Sequence, residues 1–250
     1  MIALLSPAKT LDFESVFTGE PTRPKFAAEA GRIARAAAGI GADDLGALMH
    51  ISPALADLNH QRFKRFGRAE KRPAISAFAG DVYRGFDAAS ADADTIVFAQ
   101  DHVRILSGLY GVLRPLDAIR PYRLEMGTDW SPDGGKLTAY WGNRVAKAVA
   151  SDLRAGGSKL ILNLASNEYF AVLKGKLPNN VRIIAPDFRV HTAKGLMFQS
   201  FPAKVARGAM ARWLCDERVA DPAALPSFGR DGWRFEAGGS TSDKPLFVRD

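Results

Sequence analysis

Short apolar runs closed by turn residues alternate along this chain with longer stretches whose apolar positions fall three and four apart. That pattern predicts strands and helices interleaved from end to end. Ile2 to Leu5, closed by Ser6-Pro7, has the form of a buried strand. Lys25 to Ala38 reads as an alanine-rich helix that Gly39 and Gly41 stop. Asp43 and Asp44 open a short helix, where negative charge is favourable, and Ile51-Ser52-Pro53 breaks it. A second helix follows with Ser52 as its N-cap and Pro53 in its first turn, and Leu55, Leu58 and Phe66 form its apolar stripe. Phe78 to Phe86 reads as a compact turn-rich element, and Thr95 to Leu106 as a mostly buried helix. Tyr122, Leu124 and Met126 alternate with Arg123 and Glu125, as on a strand with one apolar and one polar face. Tyr140 to Arg154 is an amphipathic helix, and Lys159 to Leu164 a buried strand leading into a helix that Ser166 caps. Val181 to Pro186 is a further strand, and Phe188 to Val190 with Gly195 to Phe201 supply the next pair. Pro202 to Val219 is a helix whose Lys204, Arg207 and Arg218 make a basic outer face. Trp233 to Phe235 and Leu246 to Val248 form a hairpin with a long loop.

Of the 250 residues 47% are apolar, enough for a sizeable core, and no repeat or linker divides them. The reading is α/β (mixed α+β): one compact domain over 1–250, a mixed β-sheet surrounded by helices, with a helix-hairpin-helix-like element near 43–66. Lys plus Arg number 34 against 27 Asp plus Glu, a net charge of +7. That excess suits a polyanion such as nucleic acid, or an acidic small substrate. The one cysteine, Cys215, excludes an internal disulfide and any all-cysteine metal or iron–sulfur site within one chain. No apolar run reaches the length of a membrane span, and Met1 to Pro7 lack the charged start of a signal peptide. The chain therefore reads as cytoplasmic, with no membrane partner. The usual dinucleotide, P-loop and nucleophile-elbow fingerprints are absent. His50, His60, His102 and His191 are scattered without metal-ligand spacing, so neither a cofactor nor a bound metal is expected.

The densest candidate chemistry lies between Arg104 and Gly127, where Arg104, Arg114, Arg120 and Arg123 stand among turn glycines and prolines. Arg114 and Arg120 each precede a proline, which pushes them out of the helical region. Arg123 beside Glu125 can form a charge-assisted hydrogen bond with donors left over for an anion. A solvated strand edge with a structural ion pair is the plainer reading. Lys9 follows the first strand at its carboxyl end, where open α/β sheets place their ligands, so it is an anion contact or simply an exposed lysine. Asn163, Ser166 and Glu168 crowd the end of the 159–164 strand in the same way, unless Ser166 and Glu168 serve capping alone. Arg62 and Lys64 near the hairpin, with Lys204 and Arg207 on the late helix, are further candidate phosphate contacts.

Six stretches taken together resemble the YaaA family over nearly the whole chain. They are Ser6-Pro7-Ala8-Lys9-Thr10-Leu11-Asp12, Phe78-x-Gly80-Asp81-Val82-Tyr83-x-Gly85, the Leu106 to Gly127 run, Tyr140-Trp141-Gly142, Asn163-Leu164-Ala165-Ser166-x-Glu168-Tyr169 and Lys204-x-Ala206-Arg207-Gly208. The resemblance implies a bacterial cytosolic peroxide-stress protein that limits free iron and the oxidative damage it drives. It further implies a compact mixed α/β fold with a basic cleft, a helix-hairpin-helix element at about Asp43 to Phe66, and DNA binding. Lys9, Arg114, Arg123, Asn163 and Glu168 fall in the family motifs and are expected to line one cleft.

Two readings of that cleft follow. In the first, Lys9, Arg114, Arg120, Arg123, Lys204 and Arg207, with Arg62 and Lys64, neutralise DNA phosphates without reading bases. In the second, an enzyme acts there on a nucleotide, a nucleic-acid base or a small anion. Arg114 and Arg123 then clamp the anion, Glu168 or Asp81 is general acid or base, and Asn163 and Tyr110 orient the substrate. Iron sequestration is a third reading, for which only carboxylates brought together by the fold are available.

Overall fold

Four consecutive apolar residues, Ile2–Leu5, form strand β1, and all four side chains are buried. A run with no polar face suits a strand covered on both sides. In the computed structural model, which describes residues 1–250, β1 is the middle strand of a five-stranded sheet.

Helices α1 (Ala27–Ala38), α2 (Ala42–Met49) and α3 (Pro53–Lys64) follow β1. Strand β2 (Arg72–Pro73) and helices α4 (Ala74–Ala77), α5 (Asp81–Phe86) and α6 (Ala93–His102) lead into β3 (Val103–Ser107). β4 (Gly111–Leu113) turns back against β3, and β5 (Ala118–Ile119) pairs with β2. Helix α7 (Leu137–Ala155), strand β6 (Leu160–Asn163), helix α8 (Asn167–Phe170) and strand β7 (Arg182–Ile184) complete this half. The remainder is β8 (Asp187–Thr192), β9 (Gly195–Met197), α9 (Ser200–Asp216), β10 (Arg234–Thr241) and β11 (Lys244–Arg249).

The first sheet has the order β4-β3-β1-β6-β7, parallel except for β4, with Leu4 in register with both Arg104 and Asn163. From β1 the chain crosses to β3 on one side, whereas from β6 it crosses to β7 on the other. The sheet therefore has its topological switch point between β1 and β6, the place at which open α/β sheets form a crevice beyond the carboxyl ends of their strands. A second sheet, β10-β11-β8-β9, is mixed. One hydrophobic cluster of 64 buried residues runs from Leu5 and Trp141 beside the first sheet to Trp233 and Phe247 beside the second. Helices α5 and α9 touch backbone to backbone: a Cβ on Gly208 would stand 1.7 Å from the Val82 carbonyl oxygen, and one on Gly85 2.0 Å from that of Val205. The buried Cys215 thiol has its pKa pushed up to about 12 by burial, with Asp216 adding to the effect, consistent with a packing role.

Several local expectations change. Residues 103–107 are not the end of a helix: α6 stops at His102, and all five residues form the buried strand β3. A short run buried on both faces carries no period that separates strand from helix. Asp81–Phe86, expected as turn, is helical. Ser52 and Ser166 occupy N-cap positions without making a side-chain cap bond. Tyr122, Leu124 and Met126 are buried as expected of alternate positions, but the segment pairs with no strand. Helices α2 and α3 are joined by His50, Ile51 and Ser52, with His50 in the left-handed conformation (φ 52°) where a glycine would be at ease. No helix is long and apolar enough to cross a membrane.

Candidate functional site: a mixed-charge crevice and a basic band

The crevice is closed at its base by the two strand ends that meet there. The Leu164 amide donates to the Leu4 carbonyl at 3.0 Å, and the Ser166 amide to Ser6 Oγ at 2.9 Å. The Ser166 hydroxyl lies 3.4 Å from Ser6 Oγ, turned toward the β1 loop instead of capping α8. Asn163 turns its Oδ1 back on the chain, accepting from the Ala165 amide at 3.1 Å. The Tyr83 hydroxyl donates to the Ser6 carbonyl at 3.0 Å, and Gly80 sits so close to the β1 loop that a Cβ would lie 2.8 Å from Ala8 Cβ.

Across this edge runs the strap Tyr122–Gly127, whose polar residues face the strand ends. It begins against β3, because a Cβ on Gly108 would be 2.3 Å from the Leu124 carbonyl oxygen, and only glycine admits that approach. Above β1, Glu125 Oε1 is 3.0 Å from Lys9 Nζ and 3.5 Å from Arg123 Nη2. Beside β6, the Gly127 amide points at Glu168 Oε1 at 3.4 Å. Arg123 Nε is buried without a hydrogen-bond partner. Asp81, opening α5 next to Gly80, pairs with Lys204 of α9 at 3.7 Å. Lys9, Arg123 and Lys204 thus stand among Glu125, Glu168 and Asp81, a mixed-charge arrangement. Beneath them Tyr83, Tyr122 and Tyr169 are buried, and burial, with the neighbouring hydroxyls, drives all three phenols above their ordinary pKa. The floor of the crevice is neutral.

The expected single cleft divides in two, and Arg114 lies outside the crevice. β4 runs antiparallel to β3, so it carries Arg114 away from the carboxyl edge into a groove shared with Asp101, Arg104 and Asp152. There Arg114 Nη2 meets Asp117 Oδ1 at 3.4 Å. Arg120 is also remote, bonded to the Ala69 and Gly67 carbonyls at 3.1 and 3.2 Å. Tyr110 is with it, buried, its hydroxyl accepting from the Arg120 amide at 3.0 Å and its pKa pushed up to about 12 by burial. Arg62 lies on α3, bonded to Asn59 Oδ1 at 3.4 Å, and Lys64 is exposed at the end of that helix. Arg207 is half-buried on α9, its pKa lowered by burial against the pull of Asp187.

Arg120 and Arg62 belong to a surface that sequence reading only partly registered. One groove contains Arg23, Lys71 and Arg120; the next, reached past Ala69 and Pro121, contains Arg62, Arg65 and Arg68. No carboxylate lines either groove, and none of the six cations is in an ion pair. The spacing of Arg62, Arg65 and Arg68, three apart, was a usable signal that they share one side of the chain, Arg62 near the end of α3 and the other two in the turn that follows it. Nothing local marked Arg23 or Lys71. No group of three or more His, Cys, Asp or Glu side chains gathers as a metal-binding set.

Fold and site together define an α/β protein with a mixed-charge crevice at its switch point and a separate basic band. The profile of the family described as "Peroxide stress protein YaaA" matches residues 1–238. A UPF0246 protein of Rhizorhabdus wittichii is 52% identical over 252 residues, covering 100% of this chain and 99% of the relative. UPF0246 proteins of Polynucleobacter asymbioticus and Burkholderia pseudomallei are 45% and 43% identical over 255 and 257 residues, each covering 100% of this chain and 98% of the relative. The chain belongs to the YaaA family of peroxide stress proteins.

Proposed function

We propose that this chain is a cytoplasmic peroxide-stress protein that lies along the phosphate backbone of DNA without reading sequence and thereby limits damage driven by free iron. The observation that carries this reading is the band of Arg23, Lys71, Arg120, Arg62, Arg65 and Arg68, which has no carboxylate among its lining residues. Unpaired cations in adjoining grooves attract a repeating anion, and each phosphate they neutralise releases condensed counterions. Iron held on DNA as a counterion would be displaced in the same way, which links backbone binding to lower iron-driven damage. The test is a duplex-binding titration over several salt concentrations. The slope of log K against log salt should fall by about 0.9 for each phosphate contact, and Arg65→Gln or Arg68→Gln should each remove about one unit of it. Binding that is insensitive to salt overturns the reading. Bound protein should also lower strand breakage by ferrous iron and peroxide, and free protein in high salt should not.

The crevice favours a second reading, an enzyme acting on a nucleotide, a nucleic-acid base or a small anion. Its support is the meeting of Lys9, Arg123, Glu125 and Glu168 at the switch point, with Arg123 Nε unpartnered. Lys9 and Arg123 would receive the negative group and Glu168 would exchange the proton, with Asp81 held nearby by Lys204. Glu168→Gln should abolish turnover of such a substrate and leave duplex affinity unchanged. Retained turnover in that variant removes Glu168 from the chemistry.

A further inference from the structure

Within the basic band, one groove is built differently from the rest. It has a volume of about 610 Å³ and lies between the segment around Arg23, the turn carrying Lys71, and Arg120. That volume falls within the roughly 300–1,000 Å³ usual for small-ligand pockets. None of its three cations is in an ion pair and no carboxylate lines it, whereas Arg114 in the neighbouring groove, which Arg23 also borders, is paired with Asp117.

Arg120 is also fixed before any ligand arrives. Its Nε and Nη2 donate to the Ala69 and Gly67 carbonyls at 3.1 and 3.2 Å, and its guanidinium lies 5.5 Å from the centroid of the Phe66 ring. Those bonds leave the Nη1 donors free and hold them in place, so little side-chain freedom is lost on binding. The Tyr110 hydroxyl accepts from the Arg120 amide, which leaves its proton to donate. The rest of the wall is mostly apolar, from Pro21, Pro24 and Phe66 with Ala27 and Ala118, and Thr22 is its one other polar residue.

The geometry points to a binding site for a nucleoside carrying a terminal phosphate, with the phosphate on Arg23, Lys71 and Arg120 and the nucleoside against the proline and Phe66 wall. A terminal phosphate carries close to two negative charges at neutral pH and three terminal acceptor oxygens, against a single charge for an internal phosphodiester. Three unpaired cations match the former better. The ligand is a free nucleotide or the 5′-phosphorylated end of a strand, the latter being the kind of end that oxidative breakage leaves for repair. This inference rests on the nucleic-acid reading of the same band and deepens it.

Calorimetric titration separates the cases. Adenosine monophosphate, adenosine and inorganic phosphate are compared with one oligonucleotide bearing either a 5′-phosphate or a 5′-hydroxyl, with intact duplex binding measured alongside. The nucleotide should bind at least about tenfold more tightly than adenosine, which lacks the charge-assisted contacts, and about tenfold more tightly than inorganic phosphate, which lacks the apolar contact of the nucleoside. A matching preference for the phosphorylated oligonucleotide identifies the strand end as the source, and nucleotide binding without that preference identifies the free nucleotide. Lys71→Gln and Arg23→Gln, both exposed side chains, should weaken the nucleotide by about tenfold without altering the fold. Arg120→Gln should weaken it further, with circular dichroism showing whether the 66–71 turn survives. Equal, weak binding of nucleotide, nucleoside and phosphate with duplex binding intact overturns the inference and leaves the backbone reading standing. Loss of duplex binding as well overturns both.

Discussion

Lys9 Nζ lies 3.0 Å from Glu125 Oε1, and the same oxygen is 3.5 Å from Arg123 Nη2. One carboxylate at the middle of the strap thus holds both cations at the switch point. The two links differ in kind. Lys9 has 64% of its side chain exposed, whereas Arg123 has 16%. Water screens the first pair, so a double-mutant cycle of Lys9→Ala and Glu125→Gln in urea unfolding should give a coupling of roughly 0.2–1 kcal/mol, reduced further by added salt. A coupling above about 2 kcal/mol would mean that Lys9 is locked in the fold and not available to a ligand.

The contact between α5 and α9 is far less forgiving. Gly208 and Gly85 face backbone carbonyls at distances no Cβ tolerates, 1.7 and 2.0 Å, and backbone cannot swing aside as a side chain can. Since α5 also presents Asp81 and Tyr83 to the crevice, parting the helices would disturb the site as well. Gly208→Ala and Gly85→Ala should each cost more than about 3 kcal/mol of unfolding free energy. Gly67→Ala, with nothing within 4 Å of the added methyl, should stay within about 0.5 kcal/mol of the parent. Thermal denaturation of the three variants checks this, and similar melting temperatures would refute the close approach.

Acid should strike at Asp216, which ties three elements together. Its carboxylate accepts from Thr95 of α6 at 3.0 Å, from Arg212 of α9 at 2.8 Å, and meets Arg230 at 2.8 Å. Burial alone would raise its pKa, but the hydrogen bonds from Arg212, Arg230 and Thr95 outweigh that and hold it below the ordinary 3.8. A carboxyl depressed in the folded state contributes stability that is present above its unfolded pKa and is lost as pH falls through the folded value. Asp216→Asn should therefore lower stability at neutral pH and flatten the decline of stability below about pH 4. An unchanged acid profile in that variant would assign the decline to other carboxylates.

Much of this architecture was legible in local pattern. Ile2–Leu5 could hardly be anything but a covered strand, and the alternation at 122–126 correctly separated Leu124 and Met126 from Arg123 and Glu125 even though the strap pairs with no neighbour. What escaped was decided by topology. Arg114 sits in the same dense run as Arg123, yet antiparallel β4 carries it away from the edge that the strap crosses, and no spacing rule encodes strand direction. Ser166 has the sequence setting of an N-cap, but Ser6, 160 positions away, lies within reach of its hydroxyl. The basic band escaped for a related reason. Arg23, Lys71 and Arg68 are unremarkable singly, and their distinguishing property is that they line two grooves with no carboxylate and form no ion pair, which exists only once the chain has folded.

At the alkaline end the tyrosines beneath the crevice should set the limit. Tyr83, Tyr122 and Tyr169 are buried and their phenols are raised above the ordinary 10.0, first by burial and then by neighbouring groups, Tyr122 acting on both of the others and Tyr110 on Tyr122. Ser107 Oγ, 2.7 Å from the Tyr122 hydroxyl, only partly offsets this. A group whose pKa is raised by folding contributes stability that is intact below its unfolded pKa and is lost as pH rises beyond it toward the folded value. The unfolded chain gives up these three protons above about pH 10 while the folded chain keeps them, so each step upward in pH favours unfolding. Tyrosinate absorbance should consequently appear together with loss of circular dichroism, in one cooperative step. Tyr122→Phe should shift that step to higher pH while costing about 1 kcal/mol at neutral pH through its lost hydrogen bond to Ser107. Gradual ionisation of the buried tyrosines ahead of unfolding would show instead that water already reaches the floor of the crevice.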